Sequence, residues 1–259
     1  MPEVRVKPAR PREHIVHDEP EPCPYLPGQV ARMPLRYQLH RLRPADFDLR
    51  LAEGDRRVGR LLYRTSCAQC VACEPIRVPV DRFAPSRSQK RALQKNRDVQ
   101  ITIGPATYSD EKLALYNRHK QERGLTRGTD ALTRVGYEGW FVHSCVETLE
   151  MRYTVDDRLI GVGIVDRGAQ DASSVYFYFD PDEDRRSLGV FSALAEIMWL
   201  QSQGGRYLYL GLWVEDCRHL YYKASYAPHE RRMDGEWREI STAAPARVWP
   251  DDDADDGTG

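Results

Sequence analysis

The chain has 259 residues, of which 30% are charged and 41% hydrophobic, with a formal net charge of −1. Its six cysteines are too few for a disulfide scaffold, and no apolar run approaches the length of a bilayer span. The opening stretch MPEVRVKPARPREHIVHDEP lacks an apolar h-region, so a cytoplasmic setting without a secretory signal, in which thiols stay reduced, is expected. The near-neutral charge is unevenly spread. Without residues 250–259, which hold five aspartates, the formal charge moves from −1 to +4.

In chain order, residues 1–20 are polar and proline-rich and read as a flexible arm. Residues 21–99 form a cysteine-containing region in which Pro75, Pro79 and Pro85 limit helix. Within it, Ser86 and Gln89 have capping-box spacing and good helix formers follow, which predicts a short basic helix. Its cations Arg87, Lys90, Arg91 and Lys95 suit phosphate neutralisation, although a solvated face has the same composition. From residue 100 to 245 the pattern is more regular. SDEKLALYNRHKQERG is an amphipathic helix with acids in its first turn, and YEGWFVHSC adds a second helical segment. LEMRYTV, LIGVGIVDRG and SSVYFYFDP are strands, SLGVFSALAEIMWLQSQGG is a mostly apolar helix, and RYLYLGLWV is a buried strand. CRHLYYKAS is a short helix or turn, and ERRMDGEWREI a hairpin about Asp234-Gly235. Residues 246–259 are an acidic tail of disordered composition. This order specifies an α/β fold with a central mixed sheet.

That order suits a GNAT-like acyltransferase domain, with the smaller cysteine-containing region N-terminal to it. In RRSLGVFS, Arg186 and Gly189 match the loop with which acyl-CoA enzymes of this class meet a pyrophosphate. Phe191 stands where that loop expects a small residue, and the expectation is that its bulk disfavours acyl-CoA.

CPYLPG, LLYRTSCAQCVACEPIRVPVDRFAPSRSQKRALQKN, VYFYFDPDEDRRSLGVFSALAEI and YLYLGLWVEDCRHLYYKASYAPHE together resemble the aminoacyl-tRNA–protein transferases. The bacterial branch, the aspartate/glutamate leucyltransferases of the arginyl-tRNA–protein transferase superfamily, is the nearest match, over roughly residues 22–240. The resemblance implies transfer of leucine from charged tRNA to the N-terminal Asp or Glu of a protein, which marks it for degradation through the N-degron pathway. The partners implied are aminoacyl-tRNA and proteins with acidic N-termini, and no membrane. LYYK at Leu220 to Lys223 departs from the family's Met-x-Tyr-Lys, and RHKQERGLTRGTDALTRVGYEGW departs from its His-rich wording, so arginine stays open as donor. An acyl-CoA-dependent N-acyltransferase and a non-catalytic tRNA-binding module are the remaining readings.

The chemistry asks little of a base. The donor ester is already activated, and the attacking α-amine has a reference pKa of about 7.7–8.0, so losing its proton costs on the order of 1 kcal/mol at neutral pH. Orientation can contribute about 7–11 kcal/mol. An acidic N-terminus calls for a cation, and Arg64 and Arg77, on strand-like runs flanking the cysteines, and Lys223 are the candidates for substrate binding; Tyr222 is a fourth, packing beside the substrate or lining the donor pocket, with core packing as its alternative. Asp180, at a strand end before Pro181, is the candidate catalytic proton acceptor, though a turn-forming Asp reads the same way. His119, His143 and His219 have no partner pattern and read as structural. No cofactor is required for the transfer. Cys67, Cys70 and Cys73 with Cys23 are either packed reduced thiols or four ligands for zinc or an iron–sulfur cluster.

Overall fold

A computed structural model describes residues 12–126, 130–247 and 249. The first eleven residues of the expected arm and nearly all of the acidic tail lie outside the described residues. The N-terminal part runs β1 (Glu13–His17), β2 (Glu21–Pro22), β3 (Val30–Ala31), β4 (Leu35–Gln38), α1 (Pro44–Ala52), β5 (Arg56–Val58) and β6 (Leu61–Tyr63). Then come β7 (Glu74–Pro79), α2 (Arg87–Lys95), β8 (Gln100–Pro105), α3 (Asp110–Glu122) and α4 (Arg134–Tyr137), which continues as a π-helical turn over Glu138–Val142. The C-terminal part has β9 (Glu147–Val155), β10 (Arg158–Arg167), β11 (Ala172–Phe179), a 3-10 turn (Pro181–Arg186) and α5 (Leu188–Ser202). It ends with β12 (Tyr207–Trp213), α6 (Arg218–Tyr221), a 3-10 turn (Tyr222–Ser225), β13 (His229–Met233) and β14 (Glu236–Ile240).

An eight-stranded sheet in the order β14-β13-β7-β12-β11-β10-β9-β8 dominates, and a four-stranded sheet, β1-β4-β6-β5, accompanies it. In the large sheet only β11 and β12 pair in parallel, and only through Ala172↔Leu208 and Ser173↔Tyr209. Two expectations are corrected. Residues 13–17 of the supposed arm are a strand, held because the Glu13 carboxylate accepts from Gln38 at 2.9 Å and from Arg50 at 2.7 Å. The boundary drawn at residue 99 does not divide the sheets either. β7, from the cysteine-containing region, lies in the middle of the large sheet between β13 and β12.

Local chemistry accounts for the helices. Ser86 and Gln89 close a full capping box at the start of α2, and the Ser109 side chain accepts from the Lys112 N–H at the start of α3. α5 packs Leu188, Phe191, Leu194 and Ile197 into one core with Ile76 and Val78 of β7 and Leu208 and Leu210 of β12. The basic helix is therefore confirmed, and it docks on α5. No helix among the described residues is long and apolar enough to cross a membrane.

Two buried charges shape this core. Arg77 alternates with Ile76 and Val78, so it points to the other face of the sheet. There it lies between the rings of Tyr207 (3.7 Å) and Trp237 (4.0 Å), and its Nε donates to Glu230 at 2.8 Å. Glu196 of α5 is fully buried. Its Oε1 accepts from Ser192 at 3.4 Å while Oε2 has no partner, and burial pushes its carboxyl up to about 7.

Replacing Arg77 by Met should cost about 3–5 kcal/mol, because it strands the buried Glu230. The lower end is expected, since Arg82 still donates to Glu230 at 3.3 Å. Urea unfolding would measure this, and a loss under about 1 kcal/mol would refute it. Glu196 keeps a proton in the fold that the unfolded chain releases above its ordinary 4.5, so stability should fall as pH rises from 4.5 to about 7. Glu196→Gln should gain on the wild type by about 1.4 kcal/mol per pH unit across that window and then level off. A pH-independent difference in urea midpoints would contradict this.

Candidate functional site

The parallel register of β11 and β12 ends at Ser173↔Tyr209, and the site lies where their pairing stops. Beyond that point Val175 and Tyr176 of β11 line a cavity of about 450 Å³, whose other walls include Leu35, Val58, Tyr63 and Phe141. Arg56 of β5 is in the same wall and is half-buried. Its guanidinium rests on Gly211 of β12, where a Cβ would stand 1.7 Å from Nη1. Gly211 has φ of +91° and sits at a register shift against β7, so the strand both turns and thins to admit the arginine.

Two of the sequence candidates feel the charge of Arg56. Lys223 is 9% exposed and donates from Nζ to the Leu212 carbonyl at 3.1 Å. Burial, and next the charge of Arg56, drive its ammonium well below the ordinary lysine range. Tyr222 is 53% exposed, yet burial is the first cause that raises its phenol. After burial, the next influences on that phenol are the negative charge of Glu196 and the positive charge of Arg56. Tyr25, hydrogen-bonded with Tyr63, is raised by burial and also feels Arg56.

The other candidates are placed elsewhere. Asp180 is an ion-pair hub: Oδ1 accepts from Arg118 at 2.8 Å and from the Asp182 N–H at 3.1 Å, and Oδ2 from Arg158 at 2.5 Å. With both oxygens engaged it caps the turn at Pro181, and the catalytic expectation for it is corrected. Arg64 is spent on Glu53 at 2.8 Å and Asp55 at 2.7 Å, and Arg77 on Glu230 between its two rings. Neither guanidinium is left for a substrate carboxylate. Phe191 is also corrected. It turns inward against Tyr153, with ring centroids 5.9 Å apart, and does not crowd the loop before α5. That loop's Arg186 is instead tied to Asp98 at 2.8 Å and Glu183 at 2.6 Å.

Arg87, Lys90, Arg91 and Lys95 are all exposed on α2, while Gln89, Ala92 and Asn96 face inward. Lys95 reaches the Arg185 carbonyl at 3.0 Å. The cationic face is thus a surface feature one helix removed from the sheet.

All six cysteines are free thiols. Burial pushes the Cys73 thiol up to about 12, and Cys23, Cys67 and Cys70 add to the effect, so the four are neighbours. Cys67 accepts from the Arg32 N–H and Cys23 from the Leu26 N–H, each at 3.4 Å. Yet among the described residues no group of three or more His, Cys, Asp and Glu is arranged to hold a metal ion.

Sequence reasoning missed Arg56 and Glu196. Arg56 was one of several charges in GDRRVGR, and Glu196 one acid in an apolar helix. The signal that could have found the first is Gly211, a lone glycine inside the strand YLYLGLW, which marks a close approach.

Among solved structures, the chain is similar to L-PGS from Bacillus licheniformis, with a TM-score of 0.38 and 13% identity over 55% of this chain and 47% of that one. Residues 21–91 match the family model for the N terminus of arginine-tRNA-protein transferase, and residues 111–233 the model for its C terminus. A relative from Saccharophagus degradans, named aspartate/glutamate leucyltransferase, is 39% identical over 71% of this chain and 78% of the relative. The protein of the same name from Aeromonas hydrophila is 35% identical over 85% of this chain and 92% of its own. The chain belongs to the arginine-tRNA-protein transferase family and is an aminoacyl-tRNA-protein transferase related to its aspartate/glutamate leucyltransferases.

Proposed function

We propose that the protein transfers leucine from charged tRNA to the N-terminal Asp or Glu of acceptor proteins, on a GNAT-like core. The observation that carries this reading is the identity of 35–39% to proteins named for that activity, over most of both chains. The degradation signal of the N-degron pathway is the product this reaction makes.

The balance of the reaction is simple. The acceptor's α-ammonium gives up one proton, and its nitrogen attacks the carbonyl carbon of the leucyl ester. The C–N bond forms and the C–O bond to the terminal ribose breaks; the nitrogen sheds a second proton as the ribose oxygen takes one up, so the net reaction releases one proton. An activated ester and a near-neutral amine need placement more than acid–base power. The opening beyond Ser173↔Tyr209 suits placement, because one wall is apolar and the other carries Arg56 close to Lys223 and Tyr222. The exposed face of α2 suits the tRNA, since Arg87, Lys90, Arg91 and Lys95 can neutralise phosphates without reading bases.

The direct test incubates the protein with Leu-tRNA or Arg-tRNA and a peptide beginning with Asp, and reads the peptide's mass. One leucyl residue should be added from Leu-tRNA and nothing from Arg-tRNA. Addition of arginine would make it the arginyl enzyme, and no addition from either would overturn the proposal. Replacing Lys90 and Arg91 by Ala should lower tRNA affinity without changing the urea midpoint. It should also reduce the salt dependence of tRNA binding by about one per cation removed. An unchanged salt slope would take the tRNA off this helix.

A further inference from the structure

We propose that Arg56, backed by Lys223, is the seat for the side-chain carboxylate of the acceptor's N-terminal Asp or Glu. The proposal takes the identity of the acceptor from the leucyl-transfer reading, while the anion seat itself stands on the geometry.

Charge pairing singles the place out. The buried arginines of this chain have acidic partners: Arg36 with Asp55, Arg50 with Glu13, Arg57 with Asp166 and Arg77 with Glu230. Among the described residues no carboxylate makes an ion pair with Arg56 or with Lys223. Two cations packed together without a counter-charge repel each other, and that repulsion is one reason the Lys223 ammonium is disfavoured. A carboxylate arriving at Arg56 supplies the missing charge for both. The fork of a guanidinium matches a carboxylate bidentately, and this guanidinium is held in place by lying flat on Gly211.

The surroundings favour an amino-acid residue over a nucleic-acid backbone. Arg56 is reached through a cavity of about 450 Å³ lined largely by apolar side chains, whereas Arg87, Lys90, Arg91 and Lys95 stand exposed together on α2. The cavity lining also includes the exposed Glu19 and Glu21, the second of them paired with His17 at 3.0 Å. An N-terminal Asp or Glu carries an α-ammonium and a side-chain carboxylate a few bonds apart. A lining that carries both an arginine without an acidic partner and carboxylates is complementary to that pair of charges, and Asn or Gln would leave the arginine unanswered.

The test is direct binding, without tRNA, of two peptides that differ only in Asp or Asn at the N-terminus. The wild type should bind the Asp peptide about ten- to a hundred-fold more tightly. Arg56→Gln should abolish that preference while leaving the affinity for the Asn peptide and for Leu-tRNA unchanged. Arg56→Lys, which keeps a charge and a similar length, should retain part of it. In leucyl transfer, the Arg56→Gln loss should fall on the KM for the acidic peptide more than on kcat. The proposal is overturned if folded Arg56→Gln keeps the preference, if the wild type has none, or if the variant loses Leu-tRNA affinity instead. Unfolding of both variants would make Arg56 a structural residue and overturn it equally. Preference in the wild type without leucyl transfer would sink the proposed function and leave the seat standing.

Discussion

β12 is held by its two neighbours to very different extents, and the site follows from that imbalance. With β7 it pairs antiparallel from Pro79↔Tyr207 to Glu74↔Trp213, while with β11 it pairs in parallel at only two positions. Had β11 and β12 stayed in register, their backbones would have satisfied each other and closed the sheet. Because β7 secures the far side of β12, the near side is free to leave β11 without the sheet losing its middle. The opening that results is where the small N-terminal sheet delivers Arg56. The cysteine-containing region is thus both the support of the large sheet, through β7, and the source of a cationic wall, through β5.

Electrostatics divide along the same line. The interior tolerates many charges, and most are neutralised on the spot: Lys112 is closed around Glu150 at 2.8 Å, and Arg57 donates to Asp166 at 2.6 Å. Such pairs hold elements together but contribute modestly to net stability, because each ion has been taken out of water. Arg56, Lys223 and the half-satisfied Glu196 depart from this pattern, and Tyr222 feels the charges of both Arg56 and Glu196. Local rules broken without local compensation concentrate where a protein acts on something else.

How much of this the sequence discloses depends on the range of the interaction. The capping box at Ser86, the helix of residues 188–202 and the hairpin at Asp234-Gly235 are local, and the sequence displays them fully. The place of β7 is not local. Pro75 and Pro79 argue against a central strand, yet they stand at or near its ends, where Ile76 and Val78 between them suffice for the core. Arg64 and Arg77 were legible as cations on apolar runs, but an internal carboxylate satisfies that pattern as well as a substrate does. Arg56 and Arg57 are adjacent and look alike. What separates them is Asp166, which claims Arg57 from 109 residues away. Asp180 failed as a base for a similar reason: the arginines that saturate it come from α3 and β10. Tyr222 and Lys223 stay together because they are neighbours in the chain, and both feel the charge of Arg56.

Gly211 ties together two positions that are distant in the chain. Its φ of +91° already favours glycine, and the 1.7 Å that separates a hypothetical Cβ from Arg56 leaves no room for even a methyl group. A side chain at 211 would push the end of Arg56 off the strand, so the guanidinium keeps its present seat only while residue 211 is glycine.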